Sequence, residues 1–98
     1  MAKAIWNGKV IAESDHTVRI EGHLYFPIKT VNPEYLEPSD RHTTCFWKGV
    51  ASYYDIRVED KINRHAAWHY PDPSQHAEII RNHIAFWHGV EIIEKGEA

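Results

Sequence analysis

The stretch Val50-Ala51-Ser52-Tyr53-Tyr54-Asp55-Ile56-Arg57-Val58-Glu59 decides how this chain folds. Val50, Tyr54, Ile56 and Val58 share one parity, and Tyr53, Asp55, Arg57 and Glu59 share the other. Sustained alternation at period two marks a strand, and the charged set predicts that one of its faces is wet.

The same grammar recurs on either side. In Thr17-Val18-Arg19-Ile20-Glu21, Val18 and Ile20 share a face against Thr17, Arg19 and Glu21. Leu24 and Phe26 resume the pattern after Gly22, so residues 17–26 read as a tight hairpin or a strand broken by a turn. Ala66, Trp68 and Tyr70 form another alternating set, and Ile84, Phe86, Val90 and Ile92 a last strand bent at Gly89. Helix has little room. Asn32-Pro33-Glu34 offers an Asn cap followed by Pro at the first helical position. Asp72-Pro73-Ser74-Gln75 repeats that order with Gln at capping-box spacing, and Ala77, Ile80 and Ile84 would then share a face. All five prolines fall where alternation stops. The expected architecture is mainly β, with six to eight short strands in a largely antiparallel pair of sheets and one or two short helices.

Composition bounds the function. Ninety-eight residues, 43% hydrophobic and 26% charged, suit a single globular domain with one modest core spanning residues 1–98. Four Trp and five Tyr must fill much of that core. One cysteine excludes an intrachain disulfide and any zinc site built from several thiolates. The 11 Lys and Arg are scattered and interrupted by acids, as in Arg57-Val58-Glu59-Asp60-Lys61, which argues against nucleic acid as a partner. No apolar run approaches the roughly 20 residues that span a bilayer. The opening Met1-Ala2-Lys3-Ala4-Ile5-Trp6 carries no signal-peptide core, so no membrane partner and a cytoplasmic location are expected.

The segment Thr44-Cys45-Phe46-Trp47-Lys48-Gly49, leading into the deciding strand, gathers the chemistry. Cys45 is a candidate catalytic nucleophile if a neighbour lowers its pKa, although a free cysteine more often packs as a small hydrophobe. His42 is three residues away, and a strand would put the two on opposite faces. Lys48 sits among aromatic and apolar residues, where its stem can lie on ring surface. Its amine could meet an anionic ligand or pair with Glu13, which follows Val10-Ile11-Ala12. Tyr25, Tyr53, Trp68 and Tyr70 read first as core filling. Their polar tips would also suit the walls of a ligand pocket holding Lys48 and Glu13.

Metal and cofactor are not expected. His65 and His69 are four apart, but on a strand that spacing spans about 13 Å, too far for one ion. His76 and His83 would be two turns apart on the short helix, about 10 Å. No glycine-rich phosphate loop occurs: Asn7-Gly8-Lys9 and Trp47-Lys48-Gly49 hold one glycine each.

An ordered set of residues supplies a family resemblance. It runs through Asn7-Gly8, Val10, Ala12-Glu13-Ser14, Tyr25-Phe26-Pro27, Cys45, Trp47-Lys48-Gly49, Ala51 and Tyr53. It ends with Ala67-Trp68, Tyr70, Pro73 and Phe86. In this the chain resembles the bacterial family known as domain of unknown function 427, sometimes labelled nucleotidyltransferase-like. The resemblance implies a β-tent-like fold of two antiparallel sheets, some relatives of which hold zinc through paired thiolates or use an aromatic cage. This chain has one cysteine, and Phe46 stands where the family usually has Pro. The nucleotidyltransferase label finds neither a metal-binding carboxylate pair nor a phosphate loop in these residues. The leading expectation is a small polar or anionic ligand bound in an aromatic pocket. The alternatives are an interaction or homodimer module without catalysis, and a thiol enzyme using Cys45.

Overall fold

The computed structural model describes residues 1–94, which form nine strands in two antiparallel sheets. The strands are β1 (Ala2–Trp6), β2 (Lys9–Ser14), β3 (Val18–Ile20), β4 (His23–Pro27), β5 (Leu36–Cys45), β6 (Gly49–Val58), β7 (Lys61–His69), β8 (His83–Phe86) and β9 (Glu91–Glu94). A three-stranded sheet has the order β2-β1-β9, and a six-stranded sheet the order β3-β4-β8-β7-β6-β5. The mainly β expectation holds. The strands number nine rather than six to eight because β1, β2 and the long edge strand β5 carry weak alternation.

The hairpin read at residues 17–26 is present. Glu21 and Gly22 join β3 to β4 with φ of 54° and 82°, and Ile20 pairs with His23 across them. Positive φ at both central residues gives the turn a twist that matches the flanking strands. The expected last strand is instead two strands in different sheets. His88 and Gly89, at φ of 55° and 85°, turn the chain so that β8 joins the large sheet and β9 pairs with β1.

The expected helices are short three-ten turns. At Pro33–Tyr35 the Asn32 carboxamide oxygen accepts the Glu34 N–H at 3.1 Å, as the cap reading requires. The turn at Gln75–Ile80 begins after Ser74, not at Asp72, and Ala77 departs from helical geometry inside it (φ −118°, ψ 22°). A third such turn covers Ile28–Thr30. His76 and His83 therefore do not share a helix, since His83 lies on β8.

Alternation distributes the apolar residues over both faces of the large sheet. Leu24, Phe26, Ile56, Val58, Ile84 and Phe86 point toward the small sheet and meet Ala4, Ile11 and Ala12. Alanines on β1 and β2 let the sheets approach closely, and each fully buried Ile or Phe contributes about 1.5–3 kcal/mol. Tyr25, Ala51, Tyr53, Trp68 and Ala85 point the other way and form a second cluster with Tyr70, Ala77 and Ile80. This corrects the reading of the deciding strand. Tyr53 and Asp55, expected on a wet face, are buried, while Val50 is exposed. The aromatic cluster covers Tyr53, and a bulge of β7 covers Asp55.

Candidate functional site

The second cluster is not completely filled. Tyr53 on β6 pairs directly with Trp68 on β7, and Trp68 pairs with Ala85 on β8. Ala85 is too small to separate the rings on its two sides. The Trp68 Nε1–H therefore donates across β8 to the Tyr25 hydroxyl on β4, at 3.2 Å. Trp87, just beyond β8, stands 5.7 Å from the Trp68 ring and 6.3 Å from the Tyr53 ring. His23 closes another side, edge-on to Trp68 at 5.0 Å. Between these rings lies a cavity of about 200 Å³.

Lys48 supplies its cationic wall. The turn that carries it is held from below: the Ser74 N–H donates to the Lys48 carbonyl at 2.9 Å, and the Ser74 hydroxyl to the Trp47 carbonyl at 2.5 Å. Gly49 follows with φ of 120°, and a Cβ there would lie 3.2 Å from the Asp72 carbonyl oxygen. That close approach explains the glycine. So fixed, Lys48 is 6% exposed, its ammonium 5.1 Å from the Trp47 ring and 5.7 Å from the Tyr70 ring. The ammonium is bound to a carboxylate oxygen of Glu21, and the Trp47 Nε1–H donates to the other oxygen at 3.2 Å.

The protonation states follow. Burial works against the Lys48 ammonium, but the Glu21 hydrogen bond and the nearby Tyr25 and Cys45 outweigh it, and its pKa is raised. The Lys48 and Trp47 hydrogen bonds hold the Glu21 carboxyl below its usual range. Burial raises the hydroxyls of Tyr25 and Tyr70. Near neutrality the cavity thus presents one ammonium, one carboxylate and neutral phenols.

Of the residues expected to form the site, the structure brings Lys48, Tyr25, Tyr53, Trp68 and Tyr70 together. Cys45 packs against the same cluster at the end of β5. His42 is engaged elsewhere, its Nδ1 at 3.2 Å from the Ser52 hydroxyl. Glu13 is not in the cavity. It lies on the small sheet, pairs with Lys3 at 3.8 Å, and lines a broader depression near Lys29–Pro33 that has no aromatic or buried charged side chain. The carboxylate facing Lys48 is Glu21, which sequence reasoning had placed only on the polar face of a strand. Its signal was Glu-Gly at the hairpin tip, where Asn-Gly would suit the backbone better.

Trp87 and Asp55 were also missed. Tyr54 pairs with Ala67 and Ile56 with Asn63, so Asp55 alone faces Arg64, His65 and Ala66. Asp55 fills this bulge. Its buried carboxylate accepts the His65 N–H at 2.8 Å, and the His65 carbonyl in turn accepts the Trp87 indole N–H. His65 also meets the Ser39 hydroxyl through Nδ1 at 2.7 Å, and His69 stacks on Tyr54 at 5.1 Å.

Residues 1–96 match the model of a family described as Domain of unknown function (DUF427). A comparison with curated proteins found no match.

Proposed function

This chain belongs to the DUF427 family, and from that premise we propose that it is a binding domain for a small polar or anionic molecule. The observation that carries this reading is the convergence of a buried lysine with five tyrosine and tryptophan rings on one partly empty cavity. Holding an ammonium at 6% exposure requires partners, and here one of the partners comes from an exposed hairpin tip that a ligand can replace. Lys48 would meet the ligand's negative or acceptor group. Tyr25 and Tyr70 would supply hydroxyls, and Tyr53 and Trp68 flat apolar surface.

The test is a thermal-shift screen of a small-molecule library against the wild type and Lys48→Ala. Hits that stabilise the wild type and are lost in the variant are expected. If no hit depends on Lys48, the pocket reading fails.

A second reading is an interaction module or homodimer, favoured by Phe46. This ring is 98% exposed in the β5–β6 turn, two residues before Lys48. Burying such a ring against another chain removes a large apolar area from water.

A further inference from the structure

The resting occupant of the lysine subsite describes the ligand. This inference rests on the pocket reading and names the class of molecule that the pocket takes. In the structure two donors from adjacent residues, the Lys48 ammonium and the Trp47 indole N–H, each hold one oxygen of the same Glu21 carboxylate. The donors are therefore already spaced for a planar two-oxygen group. Glu21 reaches them from a hairpin tip, with its own side chain 52% exposed, and among the described residues its carboxylate hydrogen-bonds to no other side chain.

The tight turn beneath Glu21 sets where its side chain starts from. At φ of 54° Glu21 occupies the first central position of a two-residue turn, where glycine, asparagine or aspartate is favoured over a longer side chain. Glu59 has the same conformation (φ 58°) in the β6–β7 turn, so the angle belongs to the tight hairpin, and what distinguishes Glu21 is where its side chain reaches. Here the side chain's contacts are those to Lys48 and Trp47.

The rest of the cavity sets size and shape. Its volume of about 200 Å³ is below the roughly 300–1,000 Å³ of drug-sized sites, which limits the occupant to about one ring. Trp68, Trp87, Tyr53 and His23 line that volume with aromatic rings. Lys48 is the one lysine or arginine among its lining residues, with His23 the other basic side chain, which suits a single negative charge better than a phosphate dianion.

We infer that the cavity takes a small planar monocarboxylate, one ring with one carboxylate, and that the Glu21 carboxylate is an internal stand-in which the ligand displaces. Glu21 then acts as a specificity gate. A neutral isostere gains too little at Lys48 to displace a charged competitor held at high effective concentration, whereas a carboxylate replaces it like for like.

The experiment is calorimetric titration of the intact chain with benzoate, its neutral isostere benzamide, and inorganic phosphate. Benzoate is expected to bind at least tenfold more tightly than benzamide or phosphate. Glu21→Gln removes the competing charge and should tighten benzoate about tenfold, equivalent to about 1.4 kcal/mol. Glu21→Gly serves as the second variant, because glycine suits the turn and removes the competitor without straining the backbone. It should tighten benzoate as well. Unchanged or weaker benzoate binding in both variants would overturn the gate, as would benzamide or phosphate binding as tightly as benzoate. If neither the wild type nor the variants bind benzoate, the carboxylate class is wrong. Lys48-dependent library hits of other chemistry would then keep the pocket reading alive without it.

Discussion

Gly49 shows how much a single position is asked to do. It must adopt φ of 120° and pass within 3.2 Å, at the place of a Cβ, of the Asp72 carbonyl oxygen. Any side chain there meets both demands at once. Gly49→Ala is therefore expected to lower folding stability by about 1–3 kcal/mol. A denaturant titration reads this, and an unchanged midpoint would mean that the turn yields easily. The same residue links local backbone to site chemistry, because the Trp47 and Lys48 carbonyls are the acceptors for Ser74. Part of this was legible. Glycine between two strand-like runs marks a turn, and lysine among aromatics marks an unusual environment. That Asp72 would lie against the glycine was not, because residues 23 positions apart in the chain meet only through the fold.

At the scale of the element, the bulge in β7 matters most. A regular pairing of β6 with β7 would leave the Trp87 indole without the His65 carbonyl it uses. The extra residues, with His65 at φ of 58°, turn that carbonyl toward Trp87, and the Asp55 carboxylate holds them by accepting the His65 N–H. Bulges next to sites commonly re-aim a side chain in this way. Removing the acceptor leaves a buried N–H unpaired, at a cost of about 1–3 kcal/mol. Asp55→Ala should show that loss in urea unfolding together with a shifted tryptophan emission, while Asp55→Asn, which keeps an acceptor, should lose less. Equal stability and emission in Asp55→Ala would remove Asp55 from this role. Alternation placed Asp55 on a polar face, and it could not reveal that a bulge of the neighbouring strand would fold over it.

For the molecule as a whole, the two functional readings differ at the exposed side of the β5–β6 turn. Phe46 makes no contribution to either core cluster, so Phe46→Ser should leave the unfolding midpoint within about 0.5 kcal/mol of wild type. Light scattering across a concentration series separates the two functional readings. A concentration-independent monomer is expected if the domain works through its cavity alone. A dimer that Phe46→Ser dissociates would establish the interaction reading instead. Among the described residues no helix is long and apolar enough to cross a membrane.

Pro38, expected where alternation stops, pairs with Tyr54 inside β5, and β1, β2 and β5 carry too little alternation to be read from the chain. The sequence alone was enough for the mainly β class, a turn near Gly22 and the strongly alternating strands. These are local properties, carried by period-two alternation and by residues that tolerate particular backbone angles. It also singled out Lys48 and four of its aromatic neighbours, since an isolated amine among rings is visible in one dimension. Tertiary structure alone decided that Glu21 rather than Glu13 answers Lys48, and that Trp87 joins the cavity. It also decided that Tyr53 and Asp55, on the polar-looking face of β6, are buried. Each of these depends on which strands become neighbours. That choice is made by burial and pairing summed over two sheets, and no single stretch of the chain carries it.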